Sequence, residues 1–237
     1  MIFAAGLGSR LVEETANKPK ALVEVGNKTL LQRSIEKLAE IGTSEVVVNV
    51  HHFPGMIKRF LSENDFGIPV LISDELDKLL DTGGGLKKAK SLLTGSDPIL
   101  IYNVDILCDI NLTEVINEHQ NTAALATVVV RKRETNRYLK FNAEKKLVGW
   151  INKKTGEKKV ALPEYFDTAE EMAFSGIHLV NPEIFDFMPK EDRFSIIDLY
   201  LTLAKNHLIK GYFDESKLWM DVGKQDQLKE ARQLFST

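Results

Sequence analysis

The 237-residue sequence predicts an α/β fold: a parallel sheet with right-handed crossovers, extended on one side by antiparallel hairpins. Three observations carry that expectation. Up to about residue 123, β-branched runs alternate with helical patterns. From Ala124 the rhythm changes, and strand-like runs follow one another across charged turns. Three segments with chemical potential, residues 6–10, residues 82–85 and Asp105, belong on one edge of such a sheet, outside the carboxyl ends of its strands.

The elements follow in chain order. Met1-Ile2-Phe3-Ala4-Ala5 is an apolar run long enough for the end of a buried strand, and Gly6-Leu7-Gly8-Ser9-Arg10 turns away from it. Leu31, Ile35 and Leu38 recur at helical spacing, with Gly42 as the stop after Ile41. Residues 45–50 (EVVVNV) read as a buried parallel strand. Met56, Ile57, Phe60 and Leu61 mark the next helix, as core rather than a cofactor box, and residues 69–73 the next strand. Thr82-Gly83-Gly84-Gly85 breaks the pattern and leads into a helix ending near Leu93. Residues 99–102 form a strand with Asn103-Val104-Asp105 just past its end. Residues 124–130, 138–141, 147–152 and 171–180 read as strands, 196–204 as a helix, and 218–223 as a last short strand before a helix over 226–235. With no repeat, linker or low-complexity tract, a single domain over 1–237 is expected, with one lobe of about 1–123 and a second of about 124–237.

Composition narrows the classes. The chain is 27% charged and 43% hydrophobic, and at this size it buries roughly 70–75% of its unfolded surface without needing metals or disulfides for its core. A net charge of −3 argues against nucleic acid as a partner, and the Lys153 to Lys159 patch reads as a solvated hairpin. No apolar segment approaches the ~20 residues that cross a bilayer, so no membrane partner is expected. Arg10, Glu13 and Glu14 interrupt any signal-peptide core, and the lone Cys108 has no intrachain partner. A cytoplasmic protein, monomeric or weakly dimeric, is expected.

The first turn is the most informative stretch. Its glycines let successive backbone N–H groups face an anion, and Arg10, Lys18 and Lys20 bring three cations near the same strand end. A triphosphate needs this combination. Spacing excludes two familiar phosphate loops: position 11 is Leu rather than the third glycine of a dinucleotide fingerprint, and no Gly-Lys-Ser/Thr is present. Asp105, after an apolar run and an Asn, suits Mg²⁺ on a triphosphate, which takes one or two carboxylates and keeps several waters. Asp221, on the returning last strand, is its best partner. Helix capping is the plain alternative for both. His51 and His52 follow a strand end and read as ordinary loop histidines.

The blocks FAAGLGSRL with KPKALVEV, LDTGGGL, NVDIL, FSGIHLVNPEIF and WMDVGKQDQLKEA resemble, in order, those of the sugar-1-phosphate nucleotidylyltransferase family in its short form. In its TGGG and FSGI blocks the chain is most similar to members that uridylylate N-acetylmuramate 1-phosphate. The resemblance implies a Rossmann-like three-layer sandwich with a mixed, mostly parallel sheet and an antiparallel extension on the sugar side. It implies transfer of a nucleoside monophosphate from an NTP to a sugar 1-phosphate, releasing pyrophosphate, in nucleotide-sugar synthesis for the cell envelope. It assigns Ala4, Ala5, Gly6, Gly8, Ser9, Arg10 and Asn103 to the nucleotide and Lys20 to its phosphates, with Arg10, Lys20 and Asp105 catalytic. Gly83 and Gly84 would lie beside the base, Asp105 and Asp221 on Mg²⁺, and Ser175 and Gly176 near the sugar. Relatives usually carry a few residues before Ala-Ala-Gly, so a start upstream of Met1 is expected.

Three departures stand out. Val104 replaces a common Gly, residues 12–15 (VEET) lower the density of cation, and Leu139 stands where many relatives have a sugar-side Gly. The chemistry fits what is missing as well. A sugar 1-phosphate, with a second pKa of ~6, is already ionised and needs no general base. It needs alignment and cancellation of negative charge. Guanylyl transfer to mannose or heptose 1-phosphate is the alternative substrate pair. A glycosyltransferase would carry Asp-x-Asp, which Asp105-Ile106-Leu107 lacks. A non-catalytic nucleotide-sugar-binding regulator would be expected to lose Lys20, Asp105 or Asp221, and all three are present.

Overall fold

The computed structural model describes residues 1–75, 78–93, 95 and 97–236. Strand β1 (Ile2–Phe3) has two residues yet lies inside the sheet, parallel to β4 (Val46–Val50) on one side and β6 (Ile99–Asn103) on the other. β5 (Val70–Asp74) pairs parallel with β4. Beyond β6 the direction reverses. The 11-residue β12 (Glu170–Val180) runs antiparallel to β6, to β8 (Ala126–Arg131) and to β9 (Arg137–Phe141). Hairpins add β10 (Leu147–Asn152) and β11 (Lys158–Val160), and β13 (Ile209–Phe213) lies parallel to β8. The result is one continuous ten-stranded mixed sheet.

The two-residue period of a strand decides which layer each side chain joins. Val46, Val48 and Val50 enter one core, with α2 (Leu30–Glu40), α3 (Pro54–Glu63), α5 (Leu112–Gln120) and α8 (Gln225–Leu234). Val47 enters the other, with α4 (Asp81–Lys88) and α7 (Ile196–Leu203). Helices on both faces make the expected three layers. They also explain why β4 is apolar almost without interruption, since both of its faces are covered. In α2 the Thr29 hydroxyl accepts from Gln32 N at 3.1 Å, the Leu31-Ile35-Leu38 stripe faces the core, and Gly42, at φ +78°, ends the helix. The helical turns α1 (Val12–Thr15) and α6 (Pro163–Phe166) and the hairpin of β2 (Glu24–Val25) with β3 (Lys28–Thr29) complete the edges, and no described helix is long and apolar enough to cross a membrane.

Two features differ from the sequence-based expectation. The last strand does not join the main sheet. β14 (Trp219–Asp221) forms a separate antiparallel ribbon with β7 (Ile106–Cys108), which leaves the sheet after β6 and so has a free edge to offer. The glycines at 83–85 do not precede a helix but lie within α4. A Cβ at Gly84 would fall inside the carbonyl oxygen of Asp192, and one at Gly83 against the Phe194 ring. Close packing against 192–194 therefore selects glycine despite its cost of ~1 kcal/mol within a helix.

Candidate active site

At the carboxyl edge of β1, β4 and β6 a cleft of about 230 Å³ is lined by Ala4, Ala5, Gly6, Lys20, Asn49, Glu75, Asp81, Thr82, Asn103 and Asp105, among others. The Ala4 N–H is already donated to Asn49 Oδ1 at 2.7 Å. Among the described residues, no protein acceptor takes the N–H groups of Gly6, Leu7, Gly8 or Ser9, so the turn keeps the donors an anion needs. Gly8, Ser9 and Arg10 lie beyond the cleft wall, and the Gly8 carbonyl accepts from Leu11 N at 2.8 Å, closing the turn.

Four charged groups meet beside that turn. Lys20, on the 3₁₀ turn Lys20–Leu22, is buried and ion-pairs with Asp105. Arg10 Nη1 reaches Asp221 Oδ2 at 3.7 Å from a mostly exposed position. Asp221 is brought to Asp105 by the β7–β14 ribbon: it pairs with Ile106, and Val222 N donates to the Asp105 carbonyl at 3.0 Å. Gly223 is the point on which three of these groups converge. A methyl there would sit 2.6 Å from Lys20 Nζ, 2.7 Å from Asp221 Oδ1 and 2.8 Å from Arg10 Nη2. With Lys20 touching Asp105, the two carboxylates lie well inside the ~10 Å that Mg–O bonds and one shared water could span.

The remaining sequence-derived candidates fall into two groups. Asn103 stays at the cleft, at the end of β6. Gly83 and Gly84 do not line it. Their N–H groups donate to the Phe194 carbonyl at 2.9 and 3.3 Å, and the preceding Asp81 and Thr82 face the cleft instead. Ser175 and Gly176 sit where β12 slips register against β8 between Phe174 and His178. Gly176, at φ +80°, lets that bulge press against Asn103 Nδ2 and Ile106, where a Cβ would clash. Ser175 is 1% exposed, and its hydroxyl has no partner among the described residues.

Several site residues escaped the sequence reading. Asn49 bridges Ala4 N to Glu75, donating to Glu75 Oε1 at 2.7 Å, while Leu80 N donates to Oε2 at 3.0 Å. The signal was available, as an Asn inside an otherwise aliphatic buried strand is rarely idle. Thr82, by contrast, belongs to the 82–85 segment expected at this edge, and its Oγ1 accepts from Ile196 N at 3.0 Å, joining α4 to the start of α7. Arg133 lies 4.6 Å over the Trp219 ring and donates to the Phe174 carbonyl at 3.0 Å. Burial pulls its guanidinium below the usual value, and nearby Asp221 works in the other direction. No cluster of three or more His, Cys, Asp or Glu that could hold a metal ion is found among the described residues.

Known proteins match this chain along nearly its whole length. A family model described as "Nucleotidyl transferase" matches residues 1–236. N-acetylmuramate alpha-1-phosphate uridylyltransferase of Caulobacter vibrioides is 31% identical, over 94% of this chain and 90% of that protein. Mannose-1-phosphate guanyltransferase of Yarrowia lipolytica is 29% identical over 94% of this chain, which spans 60% of that longer protein. The structure of UDP-glucose pyrophosphorylase from Acinetobacter baumanii superposes with a TM-score of 0.79 at 16% identity, covering 99% of this chain and 91% of the other, and so supports the fold.

Proposed function

Because the chain belongs to the nucleotidyl transferase family, we propose that it transfers a uridylyl group from UTP to an N-acetylated amino-sugar 1-phosphate such as N-acetylmuramate 1-phosphate. The products are a nucleotide sugar and pyrophosphate. The observation that carries this reading is the meeting of Lys20, Arg10, Asp105 and Asp221 beside a turn whose N–H groups are free.

Each group has a task in bringing one anion to another. The glycine turn supplies N–H donors to the triphosphate, and Lys20 and Arg10 offset charge on the phosphorus under attack and on the departing pyrophosphate. Because the sugar phosphate is already an anion, no side chain has to remove a proton. Asp105 and Asp221 fit a Mg²⁺ site: two carboxylates are held close together, with no third acidic or imidazole ligand clustered with them among the described residues, leaving positions for phosphate oxygens and water. When bound, that ion would neutralise charge shared by the two phosphates. Residues of about 1–123 would hold the nucleotide and those of about 124–237 the sugar, apart from Asp221, which returns to the nucleotide side. The lone Cys108, which has no intrachain disulfide partner, supports a cytoplasmic role.

The test is a pyrophosphate-release assay with four ribonucleoside triphosphates against a panel of sugar 1-phosphates. Release that requires Mg²⁺ and both substrates, fastest with UTP and an N-acetylated amino-sugar 1-phosphate, is expected. The 29% identity to a guanyltransferase makes GTP with mannose 1-phosphate the second reading. Absence of release with every pair would overturn both.

A further inference from the structure

A second cavity, of about 500 Å³, adjoins the nucleotide cleft and shares Asp81 and Thr82 with it. Its floor is set by strand register. Leu139 lies opposite Trp150, and Trp150 opposite Lys159, so the three side chains rise from one face of the β9–β10–β11 hairpins. Arg137, two residues before Leu139, stands on the same face. The opposite wall is the start of α7, tied to the cleft through Thr82. The cavity is within the range of small-ligand pockets, ~300–1,000 Å³, and sets an apolar floor among polar and charged walls that include Asp81, Glu157, Asp198, Lys159 and Arg137.

The charges in it are not all equivalent. Lys159 is engaged by Asp198 at 2.6 Å and by Glu157 at 4.0 Å. Asp81 accepts from Thr82 N at 2.6 Å. Arg137 is the lining cation with no carboxylate within 4.0 Å among the described residues, and its side chain is exposed at the cavity. The counter-charges for the reacting phosphates lie elsewhere, at Lys20, Arg10 and the acidic pair. A neutral sugar would leave Arg137 without a partner.

We propose that this cavity receives the acceptor sugar and that Arg137 selects sugar 1-phosphates bearing a carboxylate substituent, with Trp150 and Leu139 forming the apolar floor beneath the ring. The proposal rests on the reading of the chain as a sugar-1-phosphate nucleotidylyltransferase. A guanidinium fork pairs with a carboxylate through two parallel hydrogen bonds, which an amide cannot reproduce.

The experiment compares N-acetylmuramate 1-phosphate with N-acetylglucosamine 1-phosphate, which differ by a lactyl ether and hence one carboxylate. Steady-state kinetics would be measured for the wild type, Arg137→Gln and Arg137→Lys, with thermal melts to confirm folding. The ratio of kcat/KM for the acidic over the neutral sugar should fall about 10- to 100-fold in Arg137→Gln, through KM for the acidic sugar, and recover in part in Arg137→Lys. An unchanged ratio, or an equal loss on both sugars, overturns the proposal. So does a wild type that uses the neutral sugar but not the acidic one, a result that would leave the nucleotidylyltransferase reading in place. A wild type that releases pyrophosphate with no sugar 1-phosphate overturns both.

Discussion

Replacing Gly223 with alanine adds one methyl group at the point where the site's charges converge. The added carbon would sit 2.6, 2.7 and 2.8 Å from Lys20 Nζ, Asp221 Oδ1 and Arg10 Nη2. Each of these atoms must retreat by more than half an ångström to reach ordinary contact of about 3.4 Å. All three end flexible side chains, and Gly223 is not among the glycines with positive φ, so alanine fits the backbone there. The cost therefore falls on alignment rather than on folding. A misplacement of ~1 Å can cost ~10²-fold in rate, equivalent to about 2.7 kcal/mol at 1.36 kcal/mol per decade. We predict that Gly223→Ala lowers kcat ~30- to 100-fold in the pyrophosphate-release assay and shifts Tm by less than ~2 °C. A folded variant within threefold of wild-type turnover would refute the reasoning, as would a large loss of stability with catalysis intact in the folded fraction.

Three further outcomes follow from the same geometry. Lys20→Ala should reduce turnover ~10²-fold or more while the fold persists, because a phosphate contact in a partly enclosed cleft is lost; a rate equal to wild type would remove Lys20 from the chemistry. Asp105→Asn and Asp221→Asn should each severely weaken Mg²⁺-dependent activity with little change in the ligand-free melting temperature, and the double variant should be little worse than the worse single one, since residues sharing an ion act as a unit; losses that multiply would show independent roles. Gly84→Ala should behave in the opposite way to Gly223→Ala: its Cβ meets the Asp192 carbonyl, a backbone atom that cannot swing aside. Overpacking of ~1–3 kcal/mol outweighs the ~1 kcal/mol gained in helix propensity, so thermal denaturation should show Tm lower by several degrees.

Much of the fold could be read from the sequence because it is written in periodicity. The all-valine face of β4, the Leu31-Ile35-Leu38 stripe and the change of rhythm at Ala124 each correspond to an element with a stated layer. In the candidate site, the glycine turn and the Lys-Pro-Lys that follows are local patterns that the sequence displays directly. The site was not legible where it depends on packing. Nothing local shows that Gly83 and Gly84 answer to Asp192–Phe194, residues more than a hundred positions away, or that Gly223 is bare for the sake of Lys20 and Arg10. The approach of Asp221 to Asp105 was expected from a shared sheet edge and is produced instead by a three-residue ribbon outside the sheet.

That ribbon also fixes how the chain can change. β7 and β14 are the two ends of one long excursion, which departs near Asp109 and returns near Leu218; Leu218 N donates to Asp109 Oδ1 and Asp109 N to the Leu218 carbonyl, at 2.9 and 3.1 Å. Every residue lining the second cavity, apart from Asp81 and Thr82, lies within the excursion. The spacing of Asp105 and Asp221 is set by the ladder that pins its ends, not by its length or contents. Hairpins inside it can lengthen, shorten or exchange side chains while the two carboxylates stay in register. Selection can thus redraw the contour of that cavity without redrawing the place where the two carboxylates meet.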